Sequence, residues 1–399
     1  MASQQENLPM LEQYRRIKKE HKDAVLFFRL GDFYEMFAED AIEVSALLNL
    51  TLTQRTGLPM CGVPHHAYRA YIARLLRYGK KVAVCEQLGE ASKGKGIIER
   101  KVVEVISPGT TVDEDFLQQG SANHLAAFAS EGSASGSGRS KLSFAYIDLS
   151  TGEFAATAFP LADCAARLRL ELERLDVKEV LLEESLLEEL PDIAEAFAER
   201  QGIVVNRWAA WLFDLHRSRD RLVDQFGEGA LKSFGLKEDS AEQIAAGALL
   251  DYLQTTAQSL LPHVQSLHVY DNSEFVGIDE NSLRNLELVR NLRDGSDAFT
   301  LYSVMNETRT AMGNRLLKYR ILHPLREIKE INARLASTES LFRNQAVLSR
   351  LREILKKAPD LERLCSRLGM DKAHGKDMLS LRNALQLFEE IEGLVAPLG

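Results

Sequence analysis

The chain has 399 residues, a formal net charge of −9, 45% hydrophobic residues and 27% charged residues. That is the balance of a globular protein of two to four domains. No stretch of about 18 apolar residues occurs, which excludes a transmembrane helix, and the N-terminus lacks the apolar core of a secretory leader. The four cysteines, Cys61, Cys85, Cys164 and Cys365, form no CxxC pair. Isolated thiols fit small buried residues in a reducing cytoplasm better than zinc or disulfide chemistry.

Residues 25–30 (VLFFRL) read as a buried strand. Asp32, with Glu35 three residues on, has the spacing of a capping box. It predicts a helix from about Tyr34 to Leu48, with Phe37, Ala41, Val44 and Leu48 as its apolar stripe. Phe33 would lie at the edge of that stripe, buried. A second amphipathic helix is expected over 67–78, with Tyr71, Leu75 and Tyr78 on one face and Gly79 as its stop. Strands at 82–85 and 102–106, with a Lys/Gly-rich loop between them, complete a small mixed α/β domain over residues 1–127.

Residues 128–141, rich in Ser, Gly and Ala, read as a flexible linker. Residues 142–262 then follow a β-β-α-β-α-β order. Two strands flank Ser150-Thr151-Gly152, with a helix at 163–175, a strand at 179–182, a helix at 185–200 and a strand at 203–206. From about residue 240 the pattern is helical, over 240–260, 280–293, 309–321, 327–343, 346–357 and 377–394. Apolar residues recur there at three and four spacing, as in Leu335, Leu341 and Phe342 or Leu348, Leu351 and Leu355. The fold class expected is α/β followed by all-α, the helical part spanning 263–399.

Charge is unevenly spread. Residues 51–105 hold ten Lys/Arg and four acids, a local +6, whereas residues 140–262 hold 12 basic and 22 acidic residues, a local −10. A local basic stretch is what phosphate binding needs, whatever the whole-chain sum.

The segment LFFRLGDFYEMF, residues 26–37, allows two readings. On a helix Phe33 and Glu35 point about 160° apart. On an extended strand they point the same way. A ring and a carboxylate presented together could address one nucleobase. The ring wedges into a base step, and the carboxylate accepts a hydrogen bond from the displaced base. Unstacking costs least where pairing is already faulty, so such a pair senses a defect without reading sequence. Periodicity alone favours the helix.

The segments QYRRIKKEHKDAVLFFRLGDFYEMFAEDA, LNLTLTQR, PMCGVPHHAYRAYIARLL, VAVCEQ and ERKVVEVISPGT resemble, in order and spacing, the mismatch-recognition domain of the MutS family. The acidic middle resembles its RNase H-like connector. IDENSLRNLELVRN, ETRTAMGNRLLKYRILHPL and INARLASTESLF resemble the start of its core and lever. Phe33-Tyr34-Glu35 matches the family's Phe-x-Glu motif. The resemblance implies Phe33 as the intercalating ring and Glu35 as the base-contacting carboxylate. It also implies mismatched or looped duplex DNA and MutL as partners, a homodimer in the full-length family, and a cytoplasmic bacterial setting.

The family's ATPase, with its ATP and Mg²⁺ site, is expected to lie outside these residues. The nearest P-loop match runs from Gly89 to Lys95, but Gly96 replaces the Mg²⁺-binding hydroxyl, so no cofactor is expected here. Arg55, Lys93 and Lys95 are candidate phosphate contacts by charge and loop position. His65-His66 lacks a third ligand type for a metal. Asp148 could be the first-strand carboxylate of an RNase H-like nuclease or simply the turn residue before Ser150-Thr151-Gly152. Two other functions stay open: a MutL-binding scaffold with feeble DNA binding, and a Mg²⁺-dependent nuclease.

Overall fold

The computed structural model describes residues 9–88, 99–131, 141–198, 200, 202–257, 261–271 and 275–398. Two six-stranded mixed sheets carry the first two thirds of the chain, and helices the last.

The first sheet is built from β1 (Ala24–Leu30), β2 (Phe33–Phe37), β3 (Thr53–Arg55), β4 (Leu58–Pro64), β5 (Lys81–Gln87) and β6 (Arg100–Ile106), in the order β3-β4-β2-β1-β5-β6. Only the β1–β5 pair is parallel. Helices α1 (Pro9–Glu20), α2 (Ala38–Leu48) and α3 (Tyr68–Arg77) cover it. One face packs Phe27, Tyr34, Met36 and Val63 against Val44, Leu48, Ile72 and Leu75. The other packs Leu26, Phe28, Phe37 and Cys85 against Leu11, Tyr14 and Ile17 of α1. Buried Asp40 fixes α1 to the sheet, accepting from the Tyr14 hydroxyl at 3.0 Å, Lys18 Nζ at 2.8 Å and the Leu26 amide at 3.0 Å.

Two sequence expectations fail here. The helix does not begin at Tyr34: residues 33–37 form β2, and α2 has Phe37, not Asp32, at its N-cap, with no side-chain cap. The apolar stripe survives, because Ala41, Val44 and Leu48 are buried as expected. Tyr78 is exposed, because α3 buries Ile72, Ala73, Leu75 and Leu76 and ends before it.

The second sheet contains β7 (His124–Ser130), β8 (Lys141–Asp148), β9 (Glu153–Pro160), β10 (Val177–Glu183), β11 (Val204–Trp208) and β12 (His268–Val269), in the order β11-β10-β7-β8-β9-β12. β7, β8 and β9 are antiparallel. β10 adds parallel to β7, β11 parallel to β10, and β12 parallel to β9. Helices α4 (Cys164–Arg174), α5 (Leu186–Glu189) and α6 (Pro191–Ala198) cover one face; α7 (Leu215–Phe226), α8 (Glu228–Ser233) and α9 (Glu242–Ala257) cover the other.

The expected linker starts too early. Phe128, Ala129 and Ser130 belong to β7, which is buried at every position because it is central and covered on both faces. Small residues that read as linker are here a packed strand; residues 132–140 lie outside the described residues. The single helix expected over 185–200 is two, parted at Pro191, which cannot donate its backbone hydrogen bond.

Buried Glu179 of β10 ties the second sheet to the segment that leaves β6. It accepts from Asn206 Nδ2 at 2.7 Å, the Tyr252 hydroxyl at 2.6 Å and the Gly109 amide at 3.1 Å. The Ser107 hydroxyl also donates to it. Gly79 lies so close to Gly202 that a Cβ would stand 3.0 Å from the Gly202 carbonyl oxygen.

The helical part comprises α10 (Glu280–Asn285), α11 (Leu301–Met305), α12 (Ala311–Leu322), α13 (Ile328–Arg343), α14 (Gln345–Leu355), α15 (Leu361–Gly369) and α16 (Gly375–Val395). Helix α10 stops at Asn285, not near 293, because the chain enters turns there. Buried Arg363 of α15 docks this part on the second sheet through the Ser121 carbonyl at 2.6 Å and the Ser150 hydroxyl at 3.2 Å. Helix α13 buries no residue, and Leu335 and Phe342 are exposed.

Candidate nucleic-acid interface

Strands β1 and β2 meet at a two-residue turn. Gly31 takes φ +59° at its first central position, a conformation that disfavours other residues. The register pairs Leu30 with Phe33, Arg29 with Tyr34 and Phe28 with Glu35. Alternation along the strand then sends Tyr34 and Met36 into the core, both 0% exposed, and Phe33 and Glu35 to the opposite side. Phe33 is 48% exposed.

Tyr34 anchors this arrangement from below. Its ring packs on Tyr68 (centroids 4.9 Å apart), His65 (5.6 Å) and Phe27 (5.9 Å). Its hydroxyl donates to Glu86, and the Arg29 guanidinium lies 5.5 Å from its centroid. Burial, and then the Glu86 carboxylate, push the hydroxyl well above the usual tyrosine range. The strand is therefore gripped at the residue between the two candidate contact groups.

Glu35 has a partner that the sequence did not disclose. Arg55, at the end of β3, approaches both its oxygens, with Nη1 at 2.8 Å from Oε1 and 2.6 Å from Oε2. Gly62 sits opposite Glu35 on the intervening strand, and a Cβ there would lie 3.5 Å from Glu35 Cγ. A glycine inside a strand often marks such a close approach, and it was the one available signal.

Arg55, a candidate phosphate contact from the sequence, is paired with Glu35 here. Other members of the basic stretch are also engaged: Arg69 with Asp113 and Asp115, Lys80 with Glu43, and Lys81 with Asp23. The +6 count overstates the free positive charge. Lys93, Lys95 and the P-loop-like Gly89–Gly96 segment lie outside the described residues.

The remaining candidates resolve into structural roles. His65 stacks on Tyr68 with rings 10° from parallel, while His66 is exposed. Among the described residues no three His, Cys, Asp or Glu side chains gather as a metal could require. Burial pushes the Cys61 thiol up to about 11 and the Cys85 thiol up to about 12, whereas Cys365 is exposed. Asp148 is 0% exposed. Its carboxylate accepts from the Asn123 amide at 2.8 Å and from the Ser150 amide and hydroxyl at 2.8 and 2.6 Å. It lies on β8, not on the first strand of its sheet. Glu153 pairs with it in register on β9 and accepts from the Tyr146 hydroxyl at 3.2 Å. The turn reading of Asp148 is the one its contacts bear out.

Comparison with known proteins places this geometry. A MutS domain I model matches residues 8–115, a MutS domain II model residues 123–265 and a MutS domain III model residues 281–397. The chain belongs to the MutS family. It is 46% identical over 381 residues to the DNA mismatch repair protein MutS of Treponema denticola, covering 94% of this chain and 42% of that relative. The corresponding protein of Treponema pallidum is 43% identical over 386 residues, covering 97% and 42%. That of Borrelia hermsii is 41% identical over 390 residues, covering 97% and 44%. The chain thus spans less than half the length of the curated relatives it matches. Phe33, Glu35 and Arg55 all fall within the MutS domain I match, and the MutS domain II match begins at residue 123, beside the first residue of β7. Among the described residues no helix is long and apolar enough to cross a membrane.

Proposed function

We propose that this chain senses mispaired or looped duplex DNA as the front part of a mismatch-repair MutS protein. One observation carries the reading: a phenylalanine ring stands 48% exposed on a strand whose neighbouring residue is locked in the core. A half-exposed aromatic next to a turn has no packing role that demands it. Inserted into a base step, it gains about 1–3 kcal/mol of stacking against an unstacking cost of a few kcal/mol. The balance favours insertion only where pairing is already weakened. Glu35, on the same side of β2, accepts a hydrogen bond from the displaced base.

The second sheet, with three antiparallel strands and two parallel strands added beside β7, supports an RNase H-like connector. We assign it to contact with MutL and give Asp148 a structural role in its turn, where it accepts from two backbone amides and the Ser150 hydroxyl. ATP hydrolysis with Mg²⁺ and stable homodimerisation are assigned to regions of the family beyond domains I to III. Lys93 and Lys95 are assigned to phosphates. The setting is the bacterial cytoplasm.

The test is a titration of matched and G·T-containing duplexes with the wild-type chain and Phe33→Ala. The wild type should prefer the G·T duplex by about 5- to 150-fold, the equivalent of 1–3 kcal/mol, and Phe33→Ala should bind both alike. A Phe33→Ala protein that keeps the preference would remove the wedge from the account.

A further inference from the structure

The Glu35–Arg55 pair is the one feature of the candidate interface that a simple wedge does not use. Arg55 ends β3, and the turn to β4 has positive φ at both central residues, Thr56 (+52°) and Gly57 (+81°), which fixes where the arginine leaves the sheet. Glu35 reaches toward it across Gly62, where the absence of a side chain leaves the lane open. The arginine side chain is 43% exposed and the glutamate side chain 13% exposed. The arginine half faces solvent, where such ion pairs are weak, so a phosphate can compete for it and a nucleobase for the carboxylate it releases.

We propose that Arg55 is an electrostatic latch on Glu35 that opens only when Glu35 engages a defective base pair. This rests on the reading of Phe33 and Glu35 given above. On intact duplex Arg55 stays on Glu35 and cancels a carboxylate that phosphates would otherwise repel. At a defect Glu35 turns to the displaced base, and Arg55, without its partner, pairs with a phosphate. One residue thereby adds a phosphate contact on mismatched DNA that is missing on matched DNA, and so contributes to discrimination without touching a base.

The salt dependence of binding reads this directly, because each neutralised phosphate adds about 0.9 to the slope of log K against log salt. The 399-residue chain is titrated with matched and G·T duplexes over a range of salt, as wild type, Arg55→Gln, Glu35→Gln and the double variant. Circular dichroism checks that each variant is folded. The wild-type slope should be steeper on G·T than on matched duplex by about 0.9, and Arg55→Gln should make the two equal. Glu35→Gln should steepen the matched slope by about the same amount, and adding Arg55→Gln should reverse that. Equal slopes in the wild type, or an excess that survives Arg55→Gln, overturn the latch.

The matched-duplex comparison of Glu35→Gln with the double variant tests the latch without any mismatch. A Phe33→Ala protein that keeps its G·T preference sinks the wedge while leaving that comparison standing. A matched slope unchanged by Glu35→Gln sinks the latch while leaving the wedge standing.

Discussion

Adjacent residues Phe33 and Tyr34 should respond to truncation in opposite ways. Tyr34 is 0% exposed and packed on Tyr68, His65 and Phe27. Removing a buried aromatic ring costs about 3–5 kcal/mol, so Tyr34→Ala should unfold the β1–β2 hairpin in a protein of ordinary stability. Tyr34→Phe removes only the bond to Glu86. A hydrogen bond to a charged acceptor contributes about 1.5–3 kcal/mol, but the Glu86 side chain is 32% exposed and water can replace the donor. The expected loss is therefore about 1–2 kcal/mol.

Phe33 is 48% exposed, so Phe33→Ala should cost no more than about 1 kcal/mol. The chain has several folding units and need not melt in one step, so the assay is hydrogen exchange of the β1 and β2 amides across a urea series. At a slope near 2 kcal/mol per molar, Tyr34→Phe should lower the opening midpoint by roughly 0.5–1 M while preserving the preference for G·T duplex. Phe33→Ala should abolish that preference with at most a small midpoint shift. A midpoint drop for Phe33→Ala as large as that of Tyr34→Ala would show the ring to be core, and the argument from exposure would fail.

Other outcomes follow from single contacts. Glu179→Ala leaves the Asn206 amide, the Tyr252 hydroxyl and the Gly109 amide without their buried acceptor. It should destabilise the junction of the second sheet with the segment that leaves β6 by at least about 2–3 kcal/mol, and an unchanged urea midpoint would contradict this. Burial, followed by the Arg174 guanidinium, pushes the His323 imidazole down to about 4 from an ordinary 6.5. The unfolded chain therefore takes up that proton first, and stability falls as pH drops from 6.5 toward 4, by up to roughly 3 kcal/mol. His323→Gln should flatten the acid limb of the melting-temperature profile, and an unaltered limb would refute the assignment. Lys93→Ala should weaken matched and mismatched binding alike and reduce the salt slope by about 1; selective loss of mismatch binding would make Lys93 something other than a phosphate contact.

Elements with one clear period were legible in the sequence. The strand at 25–30, the helix after Ala67 and the hairpin around Ser150-Thr151-Gly152 all stand near where alternation and turn chemistry put them. The stretch Phe33–Phe37 was not legible. Its aromatic residues fit either period, and Asp32 and Glu35 imitate a helix cap that the hairpin overrides by pairing β2 on both edges. The start of β7 was hidden for a different reason. Ala and Ser suit a strand pressed between two helical layers as well as they suit a linker, and burial depends on elements far away in the chain. The candidate ring and carboxylate were nameable from the motif, but their shared direction needed the strand. The Arg55 partner lies 20 positions from Glu35 and two strands across the sheet, beyond the reach of any local pattern.

A fluorescent adenine analogue placed beside a G·T mismatch reports stacking at the step that the Phe33 ring would enter. Its emission should rise when the wild-type chain binds and stay quenched with Phe33→Ala at protein concentrations where both occupy the duplex. Equal emission from the two proteins would contradict insertion by Phe33.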